Sequence, residues 1–269
     1  MNDHSQDAIG VFDSGLGGLT VVKELIHHLP NERIVYFGDT ARVPYGTKSG
    51  ETIIRYSREI VKALLKHKVK MVVVACNTAS SLALDVLKKE FDLPILGVIE
   101  PGARKASEVT RNRKVGIIAT SSTVKSGKYA RKIIHFNKNI IVISQACPLF
   151  VPLVEEGWFE HAVTYQVAEQ YLTEMKKKKI DTLILGCTHY PLLKGVLHNV
   201  MGPKVQLVDS AREVALQVKE LLTKNRLLRT RLRPCQHTFI VSDEPKQFQH
   251  LAMRFLGGGV KNVRRHIYV

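Results

Sequence analysis

Two cysteines, Cys76 and Cys187, stand in the same local context 111 positions apart. Each follows a short apolar run, V-V-V-A before Cys76 and T-L-I-L-G before Cys187, and each precedes two polar residues and the start of a helical pattern. The apolar runs predict buried parallel strands. Each thiol is therefore expected at the carboxyl end of a strand, where open α/β sheets bind their ligands.

A thiol in that position suits proton transfer, because its ordinary pKa of about 8.5 lies close to neutral pH. The helix predicted after Cys76, over residues 81–91, offers free N–H groups and a positive dipole end, which we expect to stabilise a Cys76 thiolate. A lone cysteine is more often a buried structural residue. The repeated context favours a functional pair, whereas Cys147 lacks that context and is interpreted as structural.

A glycine-rich turn follows the first predicted strand. The strand covers residues 8–12, the turn D-S-G-L-G-G covers 13–18, and a helix is predicted over 19–29. The turn lacks the third glycine of a dinucleotide fingerprint and the Gly-Lys-Ser/Thr of a P-loop. It can bring backbone N–H groups to a ligand while Asp13 and Ser14 project from the strand end. Alternatively, Ser14 caps the helix and Asp13 only ties down the turn.

Two further polar positions are candidates for the same crevice. The turn V-P-Y-G at residues 43–46 follows a predicted strand, and it either presents the Tyr45 phenol and the Gly46 N–H to a ligand or simply ends the strand. His189, two residues after Cys187, is either a proton-handling group or a helix-capping histidine. The cysteines are widely spaced with no C-x-x-C pair, so we expect thiols rather than disulfides, and no metal site.

The elements that must position these residues recur along the chain. Residues 114–119 predict a strand that ends in a polar turn, Thr120–Thr123, and this strand begins 105 positions after Ile9. The repeat predicts an α/β fold with two similar parallel-sheet lobes related by a pseudo-twofold duplication, and an active site in the cleft between them. Residues 1–98 plus 210–269 are expected to form the first lobe, and residues 99–209 the second.

The composition is that of an ordinary globular protein, with 45% hydrophobic and 24% charged residues in 269. No apolar run is long enough for a membrane span and the polar start M-N-D-H-S-Q-D does not resemble a signal peptide, so we expect a cytoplasmic protein that contacts no membrane. The net charge of +16 is dispersed except at Lys176–Lys179 and Arg226–Arg233. We interpret it as attraction of a small anion rather than specific recognition of nucleic acid.

At four places the sequence resembles the glutamate branch of the aspartate/glutamate racemase family, which uses no cofactor. The order and spacing of the matches extend through most of the chain. Residues 119–124, A-T-S-S-T-V, depart from the family's usual G-T-x-A-T-V, which leaves the role of Ser122 open. The matching motifs are F-D-S-G-L-G-G-L-T-V at 12–21, G-D-T-A-R-V-P-Y-G at 38–46, A-C-N-T-A-S at 75–80 and G-C-T-H-Y-P-L-L at 186–193.

The resemblance implies a reaction in which one thiol removes the α-proton of glutamate and the other returns a proton to the opposite face. It implies no cofactor, a homodimer, and a role in supplying D-glutamate for peptidoglycan. The catalytic residues that it implies are Cys76, Cys187, Asp13, His189 and Glu155. The substrate-binding residues that it implies are Asp13, Ser14, Tyr45, Gly46, Asn77, Thr78, Thr188 and His189.

Two alternatives stay open at the level of sequence. The first is a racemase of aspartate or of another acidic amino acid, because the aspartate racemases share the plan of two cysteines. The second is an anion-binding or redox-sensing module on the same sheet, in which Cys76 and Cys187 form a disulfide.

Overall fold

Two parallel β-sheets form the centre of the structure. The computed structural model describes residues 4–230, 235–258 and 260–268. Within these residues the larger sheet has six strands, in the order β10-β9-β2-β1-β3-β4, and the smaller has four, in the order β6-β5-β7-β8. The strands are β1 (Ala8–Asp13), β2 (Ile34–Gly38), β3 (Val69–Val74), β4 (Ile95–Gly97), β5 (Lys114–Ala119), β6 (Ile141–Ala146), β7 (Thr182–Gly186), β8 (Gln206–Asp209), β9 (Thr238–Val241) and β10 (Val263–Arg265).

The smaller sheet repeats the connectivity of four strands of the larger one. The order β2-β1-β3-β4 in one sheet corresponds to β6-β5-β7-β8 in the other, and every pairing is parallel. In this correspondence β3 matches β7, so the residues after these two strands occupy equivalent places. The predicted fold class of two similar parallel α/β lobes is confirmed.

Burial on both faces explains why the central strands read as continuous apolar runs. Every residue of β1, β2, β3 and β7 is buried, and helices cover both sides of the sheets. The edge strand β6, by contrast, has no buried residue. The sequence pattern was therefore strongest for the strands that carry the candidate residues at their carboxyl ends.

The helices connect successive strands in the usual crossover manner of parallel sheets. Among the described residues, no helix is both long and apolar enough to cross a membrane. The helices are α1 (Leu19–His28), α2 (Gly50–Leu65), α3 (Asn77–Leu82), α4 (Leu84–Glu90), α5 (Ile99–Val109), α6 (Ser121–Ser126), α7 (Lys128–Phe136), α8 (Phe150–Glu155), α9 (Ala162–Lys178), α10 (Lys194–Met201), α11 (Ser210–Lys224) and α12 (Pro245–Leu256).

The helix predicted at 81–91 after Cys76 is wrong in its start. The chain becomes helical at Asn77, so that Cys76 is the N-cap residue itself, and the helix breaks at Ala83 into α3 and α4. The small polar residues after Cys76, which we expected to precede the helix, are accommodated within it because their hydroxyls bond back to the backbone. Ser80 donates to the carbonyl of Val74 at 2.8 Å, and Ser81 to that of Thr78 at 2.8 Å.

The helix that the sequence predicts over residues 124–136 is two helices, α6 and α7. Gly127 separates them with a φ of 63°, a left-handed conformation that glycine adopts without steric cost. As a result the polar turn after β5 begins a helix at Ser121, and its hydroxyl side chains face the candidate site from a helical N-terminus rather than from a loop.

The C-terminal segment extends the larger sheet. Strand β9 pairs with β2, and β10 pairs with β9, both in parallel. Helix α11 contacts both α1 and α5. Of the basic stretch at 226–233, residues 231–233 lie outside the described part of the chain, as does the end of the predicted last strand at 269.

A buried ion pair ties the amino end of the larger sheet together. The Nζ atom of Lys70, on β3, lies 2.6 Å from Oε2 of Glu32, and both side chains are almost fully buried. Lys70 also donates to the carbonyls of Ser5 at 2.9 Å and Leu227 at 2.7 Å. The backbone N–H of Arg229 donates to the other oxygen of Glu32. The pair therefore joins the start of the chain, β3 and the connector before β9.

Replacing Lys70 by alanine is expected to destabilise the protein strongly, because it leaves the buried Glu32 carboxylate without a cation. The free energy of unfolding should fall by about 3–5 kcal/mol. In the matched control Lys177→Ala, which removes an exposed ion pair with Glu174, the loss should stay below about 1 kcal/mol. Urea denaturation followed by circular dichroism measures both. Equal losses in the two variants would contradict the anchoring role of Lys70.

Candidate active site

The two cysteine thiols lie at equivalent strand ends and line one cavity. Cys187 follows β7 directly, and Cys76 follows β3 by two positions and caps α3. The cavity has a volume of about 360 Å³. Cys76 and Cys187 are both unbridged, and each is largely buried apart from the atoms that face this space.

Ten of the eleven residues predicted for the site line this cavity. The exception is Asp13, which is fully buried beneath it. Among the lining residues there is no lysine or arginine, so the polar groups that reach the cavity are neutral ones together with the Glu155 carboxyl and His189. The lining residues are Ser14, Val43, Pro44, Tyr45, Gly46, Thr47, Cys76, Asn77, Thr78, Thr120, Ser121, Pro148, Val151, Pro152, Glu155, Cys187, Thr188 and His189.

On the Cys187 side, a thiol, an imidazole and a carboxylate form a chain. Nδ1 of His189 lies 3.8 Å from Sγ of Cys187, and its Nε2 lies 3.1 Å from Oε1 of Glu155. Burial by itself lowers the pKa of His189, but the hydrogen bonds to Cys187 and Glu155 outweigh it and raise the pKa to about 10. His189 is therefore a cation at neutral pH, beside the thiol.

The ring of His189 is also held from its side. Phe255 on α12 packs against it edge-on, with 5.8 Å between the ring centroids. Arg254, from the same helix, donates to the backbone carbonyl of Glu155. The C-terminal helix thus helps to orient a residue that belongs to the smaller sheet's lobe.

On the Cys76 side, the environment opposes ionisation. Burial, reinforced by the nearby Asp13 carboxylate, raises the pKa of the Cys76 thiol to about 12. The N–H of Ala79 in the first turn of α3 and the side chain of Ser14 act in the opposite direction but are outweighed. The helix N-terminus therefore favours a Cys76 thiolate as expected, but desolvation outweighs it, so the expectation of an acidic Cys76 is wrong.

Asp13 is buried beneath the cavity and interacts with residues on the Cys76 side and on the Cys187 side. Its carboxylate accepts the N–H of Gly15 at 3.1 Å and the hydroxyl of Thr188 at 3.4 Å. Burial raises the pKa of Asp13, while the His189 cation and the turn N–H groups oppose that shift. Asp13 thus interacts electrostatically with both Cys76 and His189.

Two glycines of the turn lie where a side chain would not fit, Gly17 against the second lobe and Gly18 against its own strand end. A Cβ atom on Gly17 would lie 2.3 Å from Oγ1 of Thr188 and 2.6 Å from Nδ1 of His189. A Cβ atom on Gly18 would lie 2.4 Å from Cβ of Asp13. The turn therefore packs closely against the strand end of the second lobe at Gly17, a contact that the sequence did not indicate.

Hydroxyl groups join the lobes across the cavity. Thr78 lies 3.0 Å from Thr120 and 3.3 Å from Thr123, measured between Oγ1 atoms, and Thr120 and Thr123 are 3.0 Å apart. Ser122, whose role the sequence left open, donates to the carbonyl of Gly46 at 2.7 Å. The polar turn after β5 therefore faces the loop at 43–47.

Sequence reasoning missed several lining residues. Thr120 and Ser121 belong to the polar turn that we had noted after β5, so its correspondence with the first glycine-rich turn was the available signal. Pro148, Val151 and Pro152 form an apolar wall from α8 and the residues before it. The sequence of α8 is an ordinary apolar helical pattern, so it gave no indication that these residues line the cavity.

Cys147 does not line the cavity; burial raises its pKa, and its carbonyl accepts the hydroxyl of Tyr190 at 2.8 Å. Across residues 4–230, 235–258 and 260–268, no group of three histidine, cysteine or carboxylate side chains is arranged to hold a metal ion.

The fold and the site together define a two-lobed α/β protein with one thiol from each lobe in a shared cavity. Residues 9–218 match the model of the Asp/Glu/Hydantoin racemase family, and the chain belongs to that family. It is accordingly a racemase, an enzyme of the isomerase class.

Similar proteins match along nearly the whole chain. A curated glutamate racemase of Geobacter metallireducens is 52% identical over 256 residues, which cover 95% of each chain. A glutamate racemase structure from Bacillus anthracis superimposes with a TM-score of 0.94 at 39% identity, covering 98% of each chain. A glutamate racemase from Francisella tularensis in complex with D-glutamate has a TM-score of 0.91 at 39% identity, again over 98% of each chain.

Removing the charge of Glu155 is expected to lower the pKa of His189. In Glu155→Gln the imidazolium loses its carboxylate partner, so the pKa should fall by about one unit or more from its value of about 10. The exposed neighbour Glu156→Gln is the control and should change nothing. NMR titration of the imidazole nitrogens measures the pKa, and an unchanged value in Glu155→Gln would contradict the assignment.

The Glu155→Gln variant also tests how the ionisation of His189 makes the stability of the protein depend on pH. Because the folded-state pKa of His189 exceeds the unfolded value of about 6.5, its contribution is complete below pH ~6.5 and is lost as pH rises through ~10. The difference in unfolding free energy between the wild type and Glu155→Gln should therefore shrink across that interval.

Proposed function

We propose that the chain is a glutamate racemase that interconverts L- and D-glutamate by proton transfer between Cys76 and Cys187, without a cofactor. The observation that carries the proposal is the presence of two thiols in one cavity, each supplied by the equivalent strand end of its lobe. The glutamate racemases that match along 95% or more of the chain support the choice of substrate.

Glutamate would be held mainly by neutral dipoles, with His189 as the one cationic side chain in the lining. The lining contains no lysine or arginine, so hydroxyl, amide and N–H donors and the His189 imidazolium are the groups available for the two carboxylates. The Tyr45 hydroxyl already donates to Asp39 at 2.5 Å, and we therefore assign the contributions of Tyr45 and Gly46 to their backbone. The proposed substrate-binding residues are Asp13, Ser14, Tyr45, Gly46, Asn77, Thr78, Thr188 and His189.

In the proposed reaction one thiolate gains a proton from the α-carbon and the opposite thiol gives a proton to it. A thiolate on one side takes the α-proton, and the electron pair of the broken C–H bond remains on the α-carbon, delocalised into the α-carboxylate. The thiol on the other face then donates its proton to that carbon and becomes a thiolate. Donors around the α-carboxylate stabilise the developing charge, and they do so without reorganising, because the fold already holds them in place.

The two thiols have different surroundings. Burial raises the pKa of Cys76 to about 12 and keeps it a thiol, while the His189 imidazolium lies 3.8 Å from Sγ of Cys187. We propose that Cys187 acts as the base for one enantiomer with Cys76 as the acid. In the opposite direction the roles exchange, with Asp13 assisting proton movement at Cys76 and the His189–Glu155 pair assisting at Cys187.

We also propose a biological role, a location and an oligomeric state for the enzyme. The enzyme would supply D-glutamate for peptidoglycan, act in the cytoplasm as a homodimer, and recognise no specific nucleic acid. These points rest on the family resemblance and on the dispersed positive charge.

We further propose residues 1–98 plus 210–269 and residues 99–209 as the two lobes. The sheet membership of the strands supports this division, although α11 contacts helices on both sides of it.

Replacing either cysteine by serine is expected to abolish racemisation. The wild type should lose the circular dichroism of L-glutamate with time and leave L-aspartate unchanged. Cys76→Ser and Cys187→Ser should each reduce the rate by at least about a hundredfold, because a serine hydroxyl is too weakly acidic to form the required anion. Cys147→Ser, which is outside the cavity lining, is the matched control and should retain near-normal turnover.

Near-normal turnover by either active-site variant would contradict the assignment of two thiols. Turnover of L-aspartate instead of L-glutamate would favour the aspartate alternative. A protein that turns over neither amino acid and forms a Cys76–Cys187 disulfide under mild oxidation would favour the redox module.

Solvent deuterium should distinguish two bases from a single mobile base. In deuterated water the first D-glutamate formed from L-glutamate should carry deuterium at the α-carbon, since the proton that it receives comes from the opposite thiol. The remaining L-glutamate should carry little, because the thiol that removed its proton returns that same proton. Mass spectrometry of the separated enantiomers measures both. Rapid deuterium entry into unreacted L-glutamate would point to one base serving both faces.

A further inference from the structure

A buried carboxylate that does not line the cavity is held by three hydroxyl groups, two of which come from the distant C-terminal segment. Asp39 has no exposed surface. Its Oδ2 accepts the hydroxyl of Tyr45 at 2.5 Å, and its Oδ1 accepts those of Ser242 and Tyr268, each at 2.9 Å. The guanidinium of Arg42 lies 3.7 Å from the same Oδ1. A buried carboxylate so fully satisfied is a rigid attachment point.

Asp39 also lies directly beside the candidate catalytic strand end. Its N–H donates to the carbonyl of Asp13 at 3.1 Å, and it follows β2, the neighbour of β1. Through Tyr45 it fixes the start of the turn at 45–47, which lines the cavity. The next residue, Gly46, is held from the other lobe by Ser122, and a Cβ there would lie 2.8 Å from Thr120. The turn is thus clamped between Asp39 and the second lobe.

The C-terminal segment supplies two of the three hydroxyls. Ser242 follows β9, and its Oγ atom also accepts the N–H of Ala41 at 2.8 Å. The Tyr268 ring lies under the Arg42 guanidinium, 3.3 Å from carbon to ring centroid. Arg42 in turn pairs with Glu59 on α2. The last described residue of the chain is therefore packed against the loop that leads to the cavity.

We propose that Asp39 and Tyr268 are positioning residues for glutamate binding: the C-terminal segment, which has no counterpart in the smaller sheet, holds the Tyr45–Gly46 turn at the cavity through the Asp39 carboxylate. The inference rests on the proposed function. It assigns the segment beyond the duplicated strands a part in substrate affinity, whereas proton transfer stays with the two thiols.

Tyr268→Phe tests the inference, since it removes one hydroxyl and keeps the ring on Arg42. The KM for L-glutamate should rise by about three- to tenfold, because the loosened turn holds the substrate less tightly. The kcat should change less than about twofold, because the turn takes no part in proton transfer. Asp39→Asn should raise KM further. Two control variants should match the wild type. Tyr165→Phe removes a hydroxyl that accepts a hydrogen bond from Asn199 on another helix. Ile267→Ala shortens a side chain that is 71% exposed.

A second measurement does not depend on racemase activity. Amide hydrogen exchange across residues 40–48 should accelerate in Tyr268→Phe, while exchange in α9 stays unchanged. A wild-type KM together with unchanged exchange at 40–48 would overturn the inference. A wild type that does not racemise glutamate would instead overturn the proposed function, and the exchange result would still decide whether Tyr268 holds the turn. Equal losses of kcat and stability in Tyr268→Phe would show a merely structural role.

Discussion

The rest of the site depends on the close approach of the glycine-rich turn to the strand end of the opposite lobe. Gly17 lies against Thr188 and His189 at distances that no side chain allows, and Gly18 lies in the same way against Asp13. Because backbone rather than side chains fills this contact, the hydroxyl of Thr188 reaches the Asp13 carboxylate from the other sheet. A methyl group here would separate the two strand ends, and with them the two thiols. The spacing of the reacting groups is thus set by atoms that take no part in the reaction.

The charges around the cavity follow from how little water reaches them. Desolvation raises the pKa of both Asp13 and Cys76, and the only cation among the lining residues is an imidazolium that its own partners keep protonated. That imidazolium is already paired with Glu155, so it cannot by itself balance the two charges of a dicarboxylate. Dipoles that neither move nor titrate are the physical solution to that problem, and they favour charge that develops during the reaction as much as charge already present.

The sequence allowed the α/β class, the repeat and most cavity residues to be predicted, because buried parallel strands leave unbroken apolar runs and the polar residues at their ends stand out. It did not reveal Asp39, although the residue lies within a recognised motif, because its partners Ser242 and Tyr268 are more than 200 positions away. Nor could it give the ionisation of Cys76, since desolvation depends on how the lobes enclose the thiol. The helix starting at Asn77 was missed because serine hydroxyls that bond back to carbonyls look the same in sequence as those of a turn.

The hydroxyls of Thr78, Thr120 and Thr123 form a closed triangle at the boundary of the lobes. Each oxygen can give one hydrogen and accept another, so the triangle has two senses of circulation that differ only in the rotation of three hydrogen atoms. Reversing it costs no heavy-atom movement. Thr78 and Thr120 also line the cavity, so a reversal would redirect the hydroxyl hydrogens at that wall, where either mirror image of the substrate is received, while the fold stays in place.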